Sequence, residues 1–326
     1  MIKNKNIALD ANIALSKILG GGVLGAGRIM YVAPSTSASY AYWQGKVNSS
    51  DLYTTVAAAY ADAVTGRNDI IVLSPDTHTV TAMLNVSKNR VHFVGADLRD
   101  GVGMGARAKI SMGVTTAATD IATMQNTGIG NTFTSIKFLN SNTVAQGIYC
   151  VAEGGEYTVY KNCEFYKSTD LDVTGAAEIL NNGDSAQWLN CTIGSSANEL
   201  SGAVIRPCML VTAVLSGKKC RDNVMLDCVL LRKSGNVANR FIYGANATDV
   251  ERMFYIDRTL FFSNPLGAAT PAVGVDFGAA QTEGAVVLGA GCSSVDVTVL
   301  GATGEGVYVL APSSPTYATA GVSVAS

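Results

Sequence analysis

Little in this sequence points to binding driven by charge. Charged residues make up only 15% of 326 positions and the formal net charge is −2. That balance lacks the basic footprint that nucleic-acid binding needs. Histidine is scarce, with two copies. His78 falls in a turn and His92 in a strand, and neither has a Cys or a second His at ligand spacing. Both are expected to be structural, and no metal or other cofactor is assigned. No run of about 18 apolar residues occurs, so no membrane span is expected. Residues 1–22 carry Lys3, Lys5, Asp10 and Lys17 among their apolar residues, so no secretory leader is expected either. The cysteine count is seven, an odd number. A chain this large needs no disulfide staples, so free, buried thiols in a reducing cytoplasm are the expectation. From Thr259 to the end Lys and Arg are absent, while Asp276, Glu283, Asp296 and Glu305 are present.

What the chain does have is a repeat. Residues 133–262 contain Thr134-Ser135-Ile136-Lys137-Phe138, Lys161-Asn162-Cys163-Glu164-Phe165, Leu189-Asn190-Cys191-Thr192-Ile193, Leu226-Asp227-Cys228-Val229-Leu230 and Ile256-Asp257-Arg258-Thr259-Leu260. A second ladder, Ile148, Ile179, Val211 and Ile242, runs between the copies. Two interleaved ladders spaced by roughly 30 residues indicate a repeat architecture. The repeats are rich in Val, Ile, Phe, Tyr, Thr and Cys, alternate apolar with polar positions, and hold no helical pattern. Such units fit a parallel β-helix with three short strands per coil. The reading predicts an inward stack of Phe133, Tyr160, Trp188, Met225 and Tyr255, and another of Phe138, Phe165, Ile193, Leu230 and Leu260. Cys163, Cys191 and Cys228 share one inward position. Ser135, Asn162, Asn190, Asp227 and Asp257 are placed at a tight bend, where Asn and Asp tolerate φ > 0.

Three parts are expected along the chain. Residues 1–27 form an arm in which Asn6-Ile7-Ala8-Leu9 recurs as Asn12-Ile13-Ala14-Leu15, followed by Ile18 and Leu19. Its apolar residues Ile7, Leu9, Ile13, Leu15, Ile18 and Leu19 are partner-contact candidates. Residues 28–264 form the β-helix, headed by a capping helix over 51–65 that starts at Ser49 or Ser50 and stops at Gly66. Tyr40, Tyr42 and Trp43 lie in a loop, either as a platform for stacking sugars or packed on the first coil. Residues 265–326 read as a β-rich segment that covers the last coil and contacts other subunits, or as a continuation of the coil in smaller residues.

The run Ile29-Met30-Tyr31-Val32, the helix 51–65, Asp69-Ile70-Ile71-Val72-Leu73-Ser74-Pro75, Val91-His92-Phe93-Val94-Gly95 and the Asn-Cys copies resemble the pectin-lyase-like superfamily. This resemblance covers roughly residues 28–262 and implies an all-β, right-handed parallel β-helix. The fold hosts lyases, glycosidases and non-enzymatic proteins alike. The Trp-Ile-Asp-His pattern of pectate lyases is absent, as is the Gly-His-Gly of polygalacturonases.

Candidate chemistry is sparse. Asp227 and Asp257 lie one coil apart, but Asn162 and Asn190 fill the same position in other coils, so bend chemistry accounts for them. Glu153 with Glu156 and Asp170 with Asp172 are expected on solvated loops. Gly101-Val102-Gly103-Met104-Gly105 lacks the Lys-Ser/Thr ending of a phosphate loop. Lys218, Lys219 and Arg221 are too few for a nucleic-acid site. No catalytic residue is assigned and the chain is not expected to be an enzyme. The ends look similar to bacteriophage virion proteins. The expectation is a capsid decoration or cement protein on the virion surface, made in the host cytoplasm. Its partners would be the major capsid protein and its own copies, as a homotrimer, and a surface glycan is a further candidate. A tailspike or tail-fibre enzyme acting on polysaccharide, or a carbohydrate-binding adhesin, is the alternative.

Overall fold

A computed structural model of the chain describes residues 27–96, 108–113, 117–143, 147–169, 173–213, 218–302 and 306–310. The arm residues Ile7 to Leu19, the glycines 101–105 and the acids Asp170 and Asp172 lie outside these. The described strands form three parallel sheets of eleven, eight and eight strands. Each coil gives one strand to each sheet, and successive coils stack in register. The architecture is therefore an all-β parallel β-helix, as the repeat implies.

Period-two alternation builds the core. In the first sheet Phe93, Phe133, Tyr160, Trp188, Met225, Ile256 and Leu288 stand directly over one another, all fully buried. In the second sheet Ile110, Phe138, Phe165, Ile193, Leu230 and Phe261 do the same. Ring centroids are 5.0 Å apart for Phe93 and Phe133, 4.9 Å for Phe133 and Tyr160, and 4.3 Å for Tyr160 and Trp188. Each such contact adds about 0.5–1.5 kcal/mol beyond burial itself. Cys163, Cys191 and Cys228 are vertical neighbours, with the Cys191 N–H 3.4 Å from Cys228 Sγ. All seven cysteines are free and buried.

The fifth copy is displaced by one residue from its expected register. Met225 pairs with Ile256, not Tyr255, and Leu230 pairs with Phe261, not Leu260. Ser135, Asn162, Asn190 and Asp227 occupy the bend with φ of 55°, 54°, 51° and 57°, but the fifth bend residue is Arg258 at 45°. Asp257 instead ends the strand Val250–Asp257 and points outward. The physical reason is the inward demand for bulk: Ile256 and Phe261 fill the coil, and a slip by one would turn them to solvent. The third-sheet column is likewise Val151, Ile179, Met209 and Ile242, so Ile148 and Val211 fall outside it.

The N-terminal end departs from expectation in two places. The expected helix 51–65 shrinks to α2, Val56–Asp62, capped by the Thr55 side chain, while Leu52–Tyr53 is a short strand beside Tyr31. Residues Ala38–Gln44, read as a loop, form a helix, α1, capped by Ser37. Helix α2 covers the first coil with Val56, Ala59, Tyr60 and Ala63. The Tyr60 ring lies 6.1 Å from Phe93 and so heads the aromatic stack. Lys88 Nζ donates to the carbonyls of Tyr60, Ala61 and Ala63 at 2.7–2.8 Å, satisfying the helix C-terminus. Toward the other end, Val273–Phe277, Gly284–Leu288, Ser293–Val295, Val299–Gly301 and Val307–Val309 continue all three sheets.

Glu153 is not on a solvated loop. It stands between Asn126 and Asn181 in the third sheet and is fully buried. Its carboxylate accepts from Gly155 N–H at 2.6 Å, Tyr160 O–H at 2.6 Å, Asn126 Nδ2 at 2.9 Å and Thr158 Oγ1 at 3.2 Å. Glu156, in contrast, lies at the surface and pairs with Lys218 at 2.7 Å.

Two outcomes follow from this packing. Phe165→Ala removes a ring touched from above and below, and should cost about 3–5 kcal/mol in urea unfolding. Burial pushes the Glu153 carboxyl above its ordinary value despite its four donors. A carboxyl raised in the folded state contributes stability that is full below its unfolded pKa of about 4.3 and is lost as pH rises through the folded value. Glu153→Gln removes that titration. The Tm of the parent should therefore fall relative to the variant between about pH 4 and neutrality, and parallel Tm curves would contradict this.

Candidate functional site

Two groups of charged side chains stand out among the described residues. The first is inside the corner between the second and third sheets. Arg232 and Glu178 form a buried bidentate pair at 3.0 and 2.7 Å. Lys167 Nζ donates to the Ile148 carbonyl at 3.1 Å beside them, and Arg206 lines the same space. Burial lowers the Lys167 pKa and raises those of the Cys150 and Cys208 thiols. Gly194, at φ 101°, provides the room, because a Cβ there would lie 2.1 Å from the Leu231 carbonyl oxygen. The pocket these charged side chains line is partly open and small, about 20 Å³, space for one water and not for a sugar ring. This corner is structural.

The second group is on the surface. Consecutive bends place Asp227 and Arg258 one above the other, and Asp257 precedes Arg258. Arg258 Nε is 2.7 Å from Asp227 Oδ1 and its Nη2 is 3.0 Å from Oδ2, a fork-on-fork pair. Arg258 Nη1 reaches Asp257 Oδ2 at 3.4 Å. One guanidinium thus bridges two carboxylates. Asp257 is also held by the Gly291 N–H at 2.9 Å, and burial together with the nearness of this carboxylate raises the Tyr255 pKa. The loop can close on it because residue 289 is glycine: a Cβ there would lie 2.4 Å from Asp257 Oδ1. Side-chain exposure is 53% for Asp227, 54% for Arg258 and 16% for Asp257, so the first two meet solvent while the third is fixed. The hydrogen bond from Arg258 pulls the Asp227 pKa below its ordinary value, keeping it ionised.

Asp257 also closes an outward column of the first sheet. Tyr31, Val72, Val94, Thr134, Lys161, Leu189, Leu226 and Asp257 are successive register partners. Tyr255 lies in the neighbouring column Thr132, Val159, Gln187, Val224, Tyr255, Val287 and Tyr308. The face offers half-exposed apolar side chains beside polar ones, with the carboxylates at its edge.

Other candidates resolve into structure. His78 is buried against the Ser74 carbonyl at 3.0 Å, and His92 Nδ1 meets Thr132 Oγ1 at 2.9 Å. The basic cluster is matched by acids: Lys218 to Glu156, Lys219 to Glu283, and Arg221 to Asp184 and Glu251. Sequence reading missed Arg258, because it aligned that residue with the buried cysteines. The signal was present in Phe261, whose ring demands the inward position next to Leu230.

No protein-family model matches the sequence, and no curated protein matches it. Solved structures do share its architecture. A pectin methylesterase from Aspergillus niger aligns with 88% of this chain and 81% of its own, at 10% identity and a TM-score of 0.52. Pectin methylesterase from carrot aligns over 89% and 90%, at 13% identity and 0.51. The pectate lyase Pel9A aligns over 92% and 77%, at 15% identity and 0.51. These are carbohydrate-active enzymes, and none is a virion component. The expectation that the chain is not an enzyme is corrected on this finding, and the aspartates set aside as bend residues prove to be joined by an arginine.

Replacing one partner of the buried corner separates structure from site. Arg232→Met leaves the Glu178 carboxylate buried without its fork and should cost about 3–5 kcal/mol, measured by denaturant unfolding. Arg258→Met, at the exposed group, should change stability by less than about 1 kcal/mol.

At the level of architecture the comparisons and the sheet topology agree: this chain has the pectin-lyase-like right-handed parallel β-helix fold.

Proposed function

We propose that the chain is a polysaccharide-modifying hydrolase whose chemistry is centred on Asp227, Arg258 and Asp257. The observation that carries this reading is the guanidinium held between two carboxylates at the edge of an exposed sheet face. Asp227 is ionised and half exposed, so it acts as the general base toward water. Arg258 offers a fixed positive charge to the oxyanion that forms when the resulting hydroxide adds to an ester carbonyl, and the proton taken by Asp227 passes to the departing alkoxide, leaving an acid and an alcohol. Asp257, held by Gly291, keeps Arg258 in place. The half-exposed columns running away from the site give a sugar chain a surface of apolar patches and hydrogen-bonding groups, which suits rings with one apolar face. The fold shared with pectin-active enzymes supports a carbohydrate substrate, and the three side chains support hydrolysis.

The test is direct. The protein incubated with a panel of esterified polysaccharides should release the acid and alcohol of the ester; release of reducing ends instead would contradict the oxyanion role of Arg258, since glycosidic cleavage passes through a cation-like centre. Asp227→Asn should lower the rate by about 10²–10⁴. Because Arg258 lowers the Asp227 pKa, parental activity should persist below the ordinary aspartate value of about 3.9, and Arg258→Met should move the acid limb upward. Equal activity of parent and Asp227→Asn on every substrate would overturn the assignment.

A further inference from the structure

Helix α1, Ala38–Gln44, buries none of its side chains. Helices on globular proteins ordinarily stay in place by covering an apolar stripe. This one is held by polar contacts instead. The Ser37 hydroxyl caps it, accepting from Tyr40 N–H at 3.1 Å. The Ser74 hydroxyl donates to Asp76 Oδ2 at 2.6 Å, and the Ser37 and Ser39 side chains lie near enough to that carboxylate to help lower its pKa. The side-chain contact with the coil is Trp43 edge-on to Tyr31, with centroids 5.4 Å apart. Tyr42 is 63% exposed. Its ring has Lys46 Nζ 5.3 Å from the centroid. Lys46 is the one charged residue between Ser35 and Ser50.

We propose that Tyr42 and Lys46, whose ammonium lies over the Tyr42 ring, form a binding platform for an acidic saccharide, one that carries uronate or comparable carboxylates, with Trp43 on the adjoining side of the helix. Aromatic faces take up the C–H face of a sugar ring, and the hydroxyls remain free to bond with water and with nearby Asn48 and Gln44. Lys46 supplies the counter-charge for a carboxylate beside the stacked ring, and no acid on the segment opposes it. Arg28 binds the next acid along the chain, Asp51, at 2.6 Å, so that negative charge is neutralised. A neutral glycan would make no use of Lys46.

The platform lies on the same track as the acidic site. Tyr31, which Trp43 touches, heads the outward column that ends at Asp257. Seven rungs separate the two, about 34 Å at about 4.8 Å per rung. Resting on the hydrolase reading, the two sites would engage one long polymer together, while a short oligomer reaches only one of them.

The protein reports on this site by itself. It has two tryptophans. Trp188 is fully buried, so changes in solvent-facing emission belong to Trp43. Titration with polygalacturonate should change that emission saturably and weaken as salt rises. Dextran at equal mass should not. Tyr42→Ala should abolish the response and Lys46→Gln should weaken it several-fold, and as surface changes both should leave Tm unmoved. Asp227→Asn should bind as the parent does. Tyr42→Ala should raise KM for the polymer but not for a trisaccharide. No response to polygalacturonate, an equal response to dextran, or emission that follows protein concentration alone would overturn the platform. The last of these would place a second copy on α1. Binding that survives while every variant lacks turnover would sink the hydrolase reading and leave the platform standing.

Discussion

Everything in this molecule depends on parallel strands stacking like over like at about 4.8 Å. Each inward position must tolerate a neighbour directly above and another directly below. Flat rings satisfy this best, so Phe93, Phe133, Tyr160 and Trp188 lie face to face in one line. Small polarizable thiols satisfy it where room is short, so Cys163, Cys191 and Cys228 form another. A bend must also repeat, and Ser135, Asn162, Asn190, Asp227 and Arg258 all adopt φ near 50° there. Arginine in that region is uncommon. It is tolerated because its side chain finds a carboxylate on the bend beneath.

The same rule that fills the interior organises the exterior. Outward side chains also fall into columns, so a feature at one coil is aligned with features many coils away. That is how Trp43, leaning on Tyr31, shares a line with Asp257 although more than two hundred residues lie between them. A solenoid offers a straight surface for a straight ligand. It needs no deep cleft, and the pocket beside Arg232 and Glu178 has room for about one water.

Charge is handled differently inside and out. Within the coil, Glu178 is neutralised by the Arg232 fork and Glu153 is surrounded by neutral donors. Burial of this kind favours one register over its neighbours, since a slip would strand the charge. On the surface, ion pairs such as Lys218 with Glu156 and Arg221 with Glu251 link successive coils and contribute modestly. Arg258 differs from these in gripping one carboxylate, Asp227, through two parallel hydrogen bonds while a second, Asp257, stands beside it.

Alternation and a thirty-residue spacing were enough to identify the coil, its inward thiols and four of its five bends, because these are imposed by strand geometry and recur within the chain. The fifth bend was not legible. Asp257 and Arg258 are both acceptable at a surface turn, and only the packing of Ile256 and Phe261 selects between them. Glu153 looked solvated because a carboxylate gives no sign of burial until its donors, drawn from Asn126, Thr158 and Tyr160, are assembled around it. Helix α1 was hidden because it has no apolar stripe to announce it. The residues alone determined the architecture, since a repeated pattern constrains its own stacking. Which polar side chains meet was decided by the tertiary structure, since a shift of one place changes every partner while leaving the composition untouched.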